Sequence, residues 1–236
     1  MRKIPLRILL LAATVFFTGC STLPATGDKT TGRALPPGQS GPLVESAAAI
    51  GRQLQEDESA FLLIPAADEA MLWRLAMIDS ATSSIDAQYF IWKGDPSGSL
   101  VLEHLMAAAD RGVRVRLLAD DMFLSTNGAF EGSDQSLAAI DHHPNIELRL
   151  FNPGKYRDGI MGLAGNFGGN LKQYNRRMHN KLVIFDGHFS ILGGRNIGDE
   201  YFGLYEGHNF LDLDVMVAGA VSGQISEAFD AYWNSE

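Results

Sequence analysis

A chain of 236 residues, 46% hydrophobic and 20% charged, is long enough for one domain with a full core and leaves little room for two. Its formal net charge is -9, and -12 once Arg2, Lys3 and Arg7 are set aside, so the body of the protein repels nucleic acid at long range. The single cysteine excludes an intrachain disulfide.

The chain opens on a basic n-region, Arg2, Lys3 and Arg7, followed by an apolar run from Ile8 to Phe17 that is too short to span a bilayer as a stable helix. The next residues, Phe17-Thr18-Gly19-Cys20, resemble a bacterial lipobox with Phe where Leu is usual. That resemblance implies a signal peptide over residues 1–20 and a lipid anchor on Cys20. Ser21 after the cysteine favours the outer membrane, so the expected location is the bacterial cell envelope, lipid-anchored and facing the periplasm. Residues 21–42 are rich in Thr, Gly and Pro and read as a flexible tether, with the domain proper over 43–236.

Within the domain, Ser46 to Gln55 reads as a short helix and Ala66 to Ala81 as a longer one, with Ala70, Leu72, Leu75, Ala76 and Ile78 at roughly helical spacing. Ser84 to Trp92 alternates apolar and polar residues and reads as a strand. Asp95-Pro96-Ser97-Gly98 is a turn into a helix from Ser99 to Asp110, stopped by Gly112, and Val113 to Leu118 is the next strand. Ser133 to Asp141 is expected to be helical, Ile146 to Phe151 a strand, and the glycine-rich Pro153 to Tyr174 a long loop. Within that loop Gly159 to Gly169 is the candidate lid or membrane contact. Lys181 to Phe185 and Phe189 to Leu192 read as a hairpin around Asp186-Gly187-His188. Leu211 to Ala218 is a further strand, and Gln224 to Trp233 a closing helix. The expected fold is α/β, layered around a sheet that the hairpin makes mixed rather than parallel.

The chemistry concentrates between His179 and Asn196. Side chains two apart on a strand share a face, so His179 and Lys181 point together, with Val183 and Phe185 continuing that face into the core. The return strand delivers Gly193, Gly194 and Asn196 beside them. An imidazole can attack phosphorus, while an ammonium, an amide and bare backbone N–H groups can grip the non-bridging oxygens. That set calls for neither a metal nor another cofactor.

The spacing H-x-K-x4-D-x6-G-G-x-N, complete at His179, Lys181, Asp186, Gly193, Gly194 and Asn196, resembles the HKD motif of the phospholipase D superfamily. Asp86 to Trp92, Arg111 to Leu118 with Asp120-Asp121, Asn175 to His179 and Gly193 to Phe202 resemble the bacterial cardiolipin synthase branch, its C type most of all, and the likeness covers roughly residues 60 to 236. The resemblance implies a mixed sheet with helices on both faces. It implies a phosphatidyltransferase that works on phospholipids through a phospho-His intermediate. His179, Lys181 and Asp186 are then the catalytic set, with Asp186 supporting rather than moving the proton. Gly193, Gly194 and Asn196 are the expected phosphate-binding set. Arg176, Arg177, Arg195 and His208 are candidate headgroup contacts.

The branch carries two motifs per chain, and here there is one, so a second HKD half in cis or a homodimer is the expected partner, together with phospholipid and membrane. Two other readings stay open: a metal-independent nuclease-type phosphodiesterase acting as a homodimer, and an inactive half-domain that only binds anionic headgroups. His142 and His143 lack a third ligand nearby and read as helix-end residues, and His104 as an ordinary helical residue. His188 lies in the hairpin turn, and Asp120-Asp121 at a strand end where α/β sheets place sites.

Overall fold

The computed structural model describes residues 30–121, 140–153 and 176–235. Cys20 with the leader, most of the helix expected at Ser133 to Asp141, and the glycine-rich loop lie outside the described residues.

Among the described residues seven strands form one mixed sheet. They are β1 (Ser59–Ile64), β2 (Ser84–Tyr89), β3 (Arg114–Asp120), β4 (Ile146–Phe151), β5 (Lys181–Phe185), β6 (Phe189–Gly193) and β7 (Asp214–Gly219), in the order β1-β7-β6-β5-β2-β3-β4. β2, β3 and β4 run parallel, and β5, β6, β7 and β1 pair antiparallel. The α-helices lying wholly among the described residues are α1 (Pro42–Gly51), α2 (Ala67–Ser80), α3 (Pro96–Asp110) and α4 (Val221–Trp233).

Strand parity sorts the core into two layers. Ile85, Ala87 and Tyr89 of β2 join Val183 and Phe185 of β5 under α2 and α3, in a cluster that takes in Ala70, Ile78, Leu105 and Ala109. The alternate residues, Leu182 and Ile184 with Leu118, pack under Phe229 and Trp233 of α4. Helices therefore cover both faces. On the α4 face a buried charge sits among the apolar groups. Arg116 donates to both carboxylate oxygens of Asp86, at 2.6 and 2.8 Å, with its guanidinium 4.7 Å from the Phe229 ring centroid.

Local chemistry sets the element ends. Pro42 at the first turn after Gly41 starts α1 four residues earlier than the apolar pattern suggests. Asp95 caps α3 by accepting the Gly98 N–H at 3.0 Å, with Pro96 next in the first turn. In the β5–β6 hairpin Asp186 and Gly187 both have positive φ, 50° and 69°, the geometry that matches the twist of a tight antiparallel hairpin.

One strand is new, and two expectations change. β1 is an edge strand whose run Ser-Ala-Phe-Leu-Leu-Ile has no polar alternation, so periodicity does not reveal it. β7 begins at Asp214, and Leu211 to Leu213 stand outside the sheet. The described part of the tether is bonded along the domain. Gly32 and Asn234 exchange hydrogen bonds at 3.0 and 2.8 Å, Ala34 donates to Asp230 at 2.9 Å, and Gly38 donates to the Asp186 carbonyl at 2.8 Å.

Candidate active site

One edge of the sheet gathers the chemistry. The C-terminal ends of β1, β2, β3, β4 and β6 lie there, together with the starts of β5 and β7, because Tyr89 pairs with Lys181 and Ala119, and Asp214 pairs with Gly193 and Ile64. Parallel α/β sheets place their sites at this edge.

His179 precedes β5 and is exposed, and Lys181 opens the strand and is buried. The Lys181 ammonium donates to the His179 carbonyl at 2.7 Å. Phe90, one residue past β2, is the platform for both: its ring centroid lies 4.7 Å from that of His179 and 5.2 Å from the Lys181 Nζ. The shared face read from the motif is thus present, with an aromatic ring beneath it. Burial pushes the Lys181 pKa below the ordinary lysine value, and the Asp212 carboxylate pulls it part of the way back.

Asn196 is buried and oriented. Its Oδ1 accepts the Ile91 N–H at 3.0 Å, which assigns the side-chain NH2 to the other side. Tyr201 is close by. Burial raises its pKa, and the Asn196 side chain, hydrogen-bonded to the hydroxyl, works against that rise. Asp212 and Tyr201 carried no role in the motif reading. The signal available for Asp212 is its place just before the strand that pairs with Gly193.

The backbone leading into His179 is held from β3. Asp120 is fully buried, accepts the Met178 N–H at 2.9 Å and pairs with the Arg177 guanidinium at 3.1 Å.

Several residues of the expected set serve elsewhere. Asp186 sits past the opposite end of β5, roughly 15 Å from Lys181 at the rise of a strand. There its buried carboxylate accepts the N–H groups of Thr82, Ser83 and Ser84 at 3.0, 2.7 and 3.0 Å. It ties the hairpin turn to the start of β2, so its support acts on the sheet and not on His179. Arg195 is buried, donates to the carbonyls of Ile64 and Pro65 at 3.0 and 2.6 Å, and lies 3.4 Å from Asp214. With Arg74 also on Asp214 at 2.8 Å, it is committed to the fold and does not face a headgroup.

The two glycines are close-approach positions. A Cβ on Gly193 would collide with Asp214 and the Leu213 carbonyl, and one on Gly194 with the Asp212 carboxylate. The Gly194 N–H is already given to the Leu213 carbonyl at 3.1 Å, which removes it from the expected phosphate donors. Arg176 and His208 are exposed, and Arg177 is half-buried on Asp120. His188 lies at the far edge, 2.8 Å from the Gly38 carbonyl. His104 pairs with Asp79 and His143 with Asp110. Among the described residues no group of three or more His, Cys, Asp or Glu side chains could hold a metal ion.

Comparison with known proteins gives the family and the fold. Residues 75–233 match the family described as cardiolipin synthase, PLD-like domain. The chain is 44% identical over 166 residues to cardiolipin synthase C of Escherichia coli (strain K12), which covers 70% of this chain and 33% of that protein. It therefore spans about a third of the length of that relative. Two solved structures share the fold. Phosphatidylserine synthase of Haemophilus influenzae Rd KW20 has a TM-score of 0.56 at 14% identity, over 81% of this chain and 41% of that one. NucT from Helicobacter pylori has a TM-score of 0.52 at 16% identity, over 75% of this chain and 96% of that one. The chain belongs to the phospholipase D superfamily, as a PLD-like domain of the cardiolipin synthase branch.

Proposed function

We propose that this domain transfers phosphatidyl groups between phospholipids through a covalent phosphohistidine on His179. The observation that carries the reading is the pairing of an exposed imidazole with a buried ammonium over one ring, Phe90, beside an amide already oriented by Ile91. The imidazole nitrogen attacks phosphorus, the N–P bond forms, and the bond to the leaving alkoxide breaks as that oxygen takes a proton from a general acid. The acceptor hydroxyl then attacks phosphorus, gives its proton to the same group, and the N–P bond breaks. Lys181 and the Asn196 amide hold the non-bridging oxygens, where charge builds in both steps. Neither glycine is needed for that hold.

The general acid comes from a second copy of the motif, in cis or from a second chain. The family's phosphodiester chemistry and the single HKD motif within residues 1–236 support this pairing. The body's negative charge disfavours nucleic acid at long range. We also propose that Cys20 carries the lipid anchor that holds the domain at the envelope membrane, and that Arg176 and His208 are the headgroup contacts.

The test is turnover by the full-length protein of vesicles containing phosphatidylglycerol, alone and with phosphatidylethanolamine. A new phospholipid and an acid-labile phosphoryl adduct, both absent in His179→Ala, are expected. Metal-independent cleavage of DNA with no lipid turnover would replace this reading with the nuclease one. Headgroup binding with neither activity would leave only the binding half-domain.

A further inference from the structure

The segment between Tyr201 and β7 presents an unusual surface. Leu204, Tyr205, Phe210, Leu211 and Leu213 are each more than half exposed, and Leu211 reaches 102%. Isolated apolar residues on a surface need no explanation, but five in one short loop form a patch.

The loop is nevertheless well ordered internally. The Asn209 side chain closes it in both directions, accepting the Tyr205 N–H at 3.2 Å and donating to the Tyr205 carbonyl at 3.0 Å. Leu204 donates to the Asp199 carbonyl at 3.0 Å and Phe210 to the Glu200 carbonyl at 2.8 Å. These bonds hold the loop in one shape while its apolar side chains point out, so the patch is presented as a fixed surface. Residues 203–213 contain no Lys or Arg and two acids, Glu206 and Asp212, so attraction to anionic headgroups cannot be the driving force. The loop also reaches the site. Phe210 lies 4.9 Å from the Tyr201 ring, and Asp212 lies against Gly194 and acts on Lys181.

From these observations we infer that the loop from Leu204 to Leu213 is a bilayer-docking element, whose apolar side chains enter the boundary between headgroups and acyl chains. The inference rests on the phospholipid reading above: a lipid with its phosphate on Lys181 has its glycerol and acyl chains a few bonds away, and they need an apolar wall beside the site. The occupant is the lipid surface and not a second copy of this chain. Leu211 is fully exposed among the described residues, as an inserting wedge is, and the lipid substrate brings the apolar medium to the site. Insertion is driven by apolar burial, about 5–10 Å deep, and does not require anionic lipid.

The experiment uses the full chain with Cys20→Ser, which removes the anchor and leaves no other thiol, and a bimane label on Leu211→Cys. Leu35→Cys, at the opposite edge of the sheet, is the reference. The vesicles are phosphatidylcholine carrying a shallow doxyl quencher, and binding is read in parallel by sedimentation. Vesicle-bound protein that loses most of its Leu211 emission while Leu35 emission is unchanged is the expected result. Bound protein without quenching at Leu211, or no binding, overturns the inference. A blue shift at Leu211 that grows with protein concentration and ignores vesicles also overturns it, and assigns the loop to a second copy. Quenching requires no turnover. Absence of phosphatidyl transfer alone therefore removes the proposed activity, and absence of quenching with transfer intact removes the docking element alone.

Discussion

The buried carboxylate of Asp120 accepts the backbone N–H of Met178 at 2.9 Å, so the end of β3 holds the residue immediately before His179. The same carboxylate takes the Arg177 guanidinium at 3.1 Å, which secures two consecutive residues ahead of the imidazole. His179, the proposed nucleophile, is itself exposed, and its position is set by this anchor and by Phe90.

Replacing Asp120 removes the anchor and its ion pair with Arg177. Asp120→Ala is expected to lower stability by about 3 kcal/mol, the scale for breaking a buried charged pair. Urea denaturation reads the loss. Turnover per folded molecule should fall as well, because His179 loses its fixed approach.

Asp186 makes the opposite prediction. Asp186→Ala strips the acceptor from three consecutive N–H groups and leaves a non-glycine residue at φ 50°, so a loss of about 2–4 kcal/mol is expected. Asp186→Asn keeps one acceptor oxygen and tolerates that backbone, and should cost less. Turnover corrected for folded fraction should stay close to wild type in both. A large loss of kcat in fully folded Asp186→Asn would return this residue to the chemistry.

The pH dependence follows from Lys181. Burial disfavours its ammonium, so the pKa lies below the usual lysine value, and Asp212 opposes that fall. In the proposed mechanism the charged form grips phosphate. Activity is therefore present below this pKa and lost as pH rises through it, earlier than for an exposed lysine. Asp212→Asn removes the opposing charge and should move the alkaline limb to still lower pH. A pH–rate profile with an activated soluble phosphodiester measures both limbs, and a limb that does not move would show that another group titrates.

Gly194→Ala places a methyl group against the Asp212 carboxylate. The overpacking should cost about 1–3 kcal/mol in thermal or chemical unfolding. Displacing Asp212 should also shift the Lys181 limb in the same direction as Asp212→Asn. Arg195→Lys keeps the charge but loses the fork that spans Ile64 and Pro65, and should cost stability without changing headgroup affinity.

Much of the fold was legible because it follows from local rules. The β2, β4, β5 and β6 strands and the α2 and α3 helices follow from periodicity and end signals within a few residues, and Asp186-Gly187 announces the hairpin turn. β1 stayed hidden since an exposed edge strand carries no alternation, and its position is set by pairing with β7, some 150 residues later.

The sequence by itself determined which groups come together: an imidazole and an ammonium two residues apart, at the entry to β5, meet over one ring, and the asparagine returns toward that edge through a short hairpin. Parity is a local property of the backbone, so it survives without knowledge of neighbours. Which motif residues meet at that edge was decided only in three dimensions. Asp186 and Arg195 find partners 103 and 131 residues away, and Asp212 reaches Lys181 through the β6–β7 pairing. A motif's spacing fixes neither the end of the strand at which a side chain lies nor the partner that takes its charge, because both depend on how distant strands are ordered in the sheet.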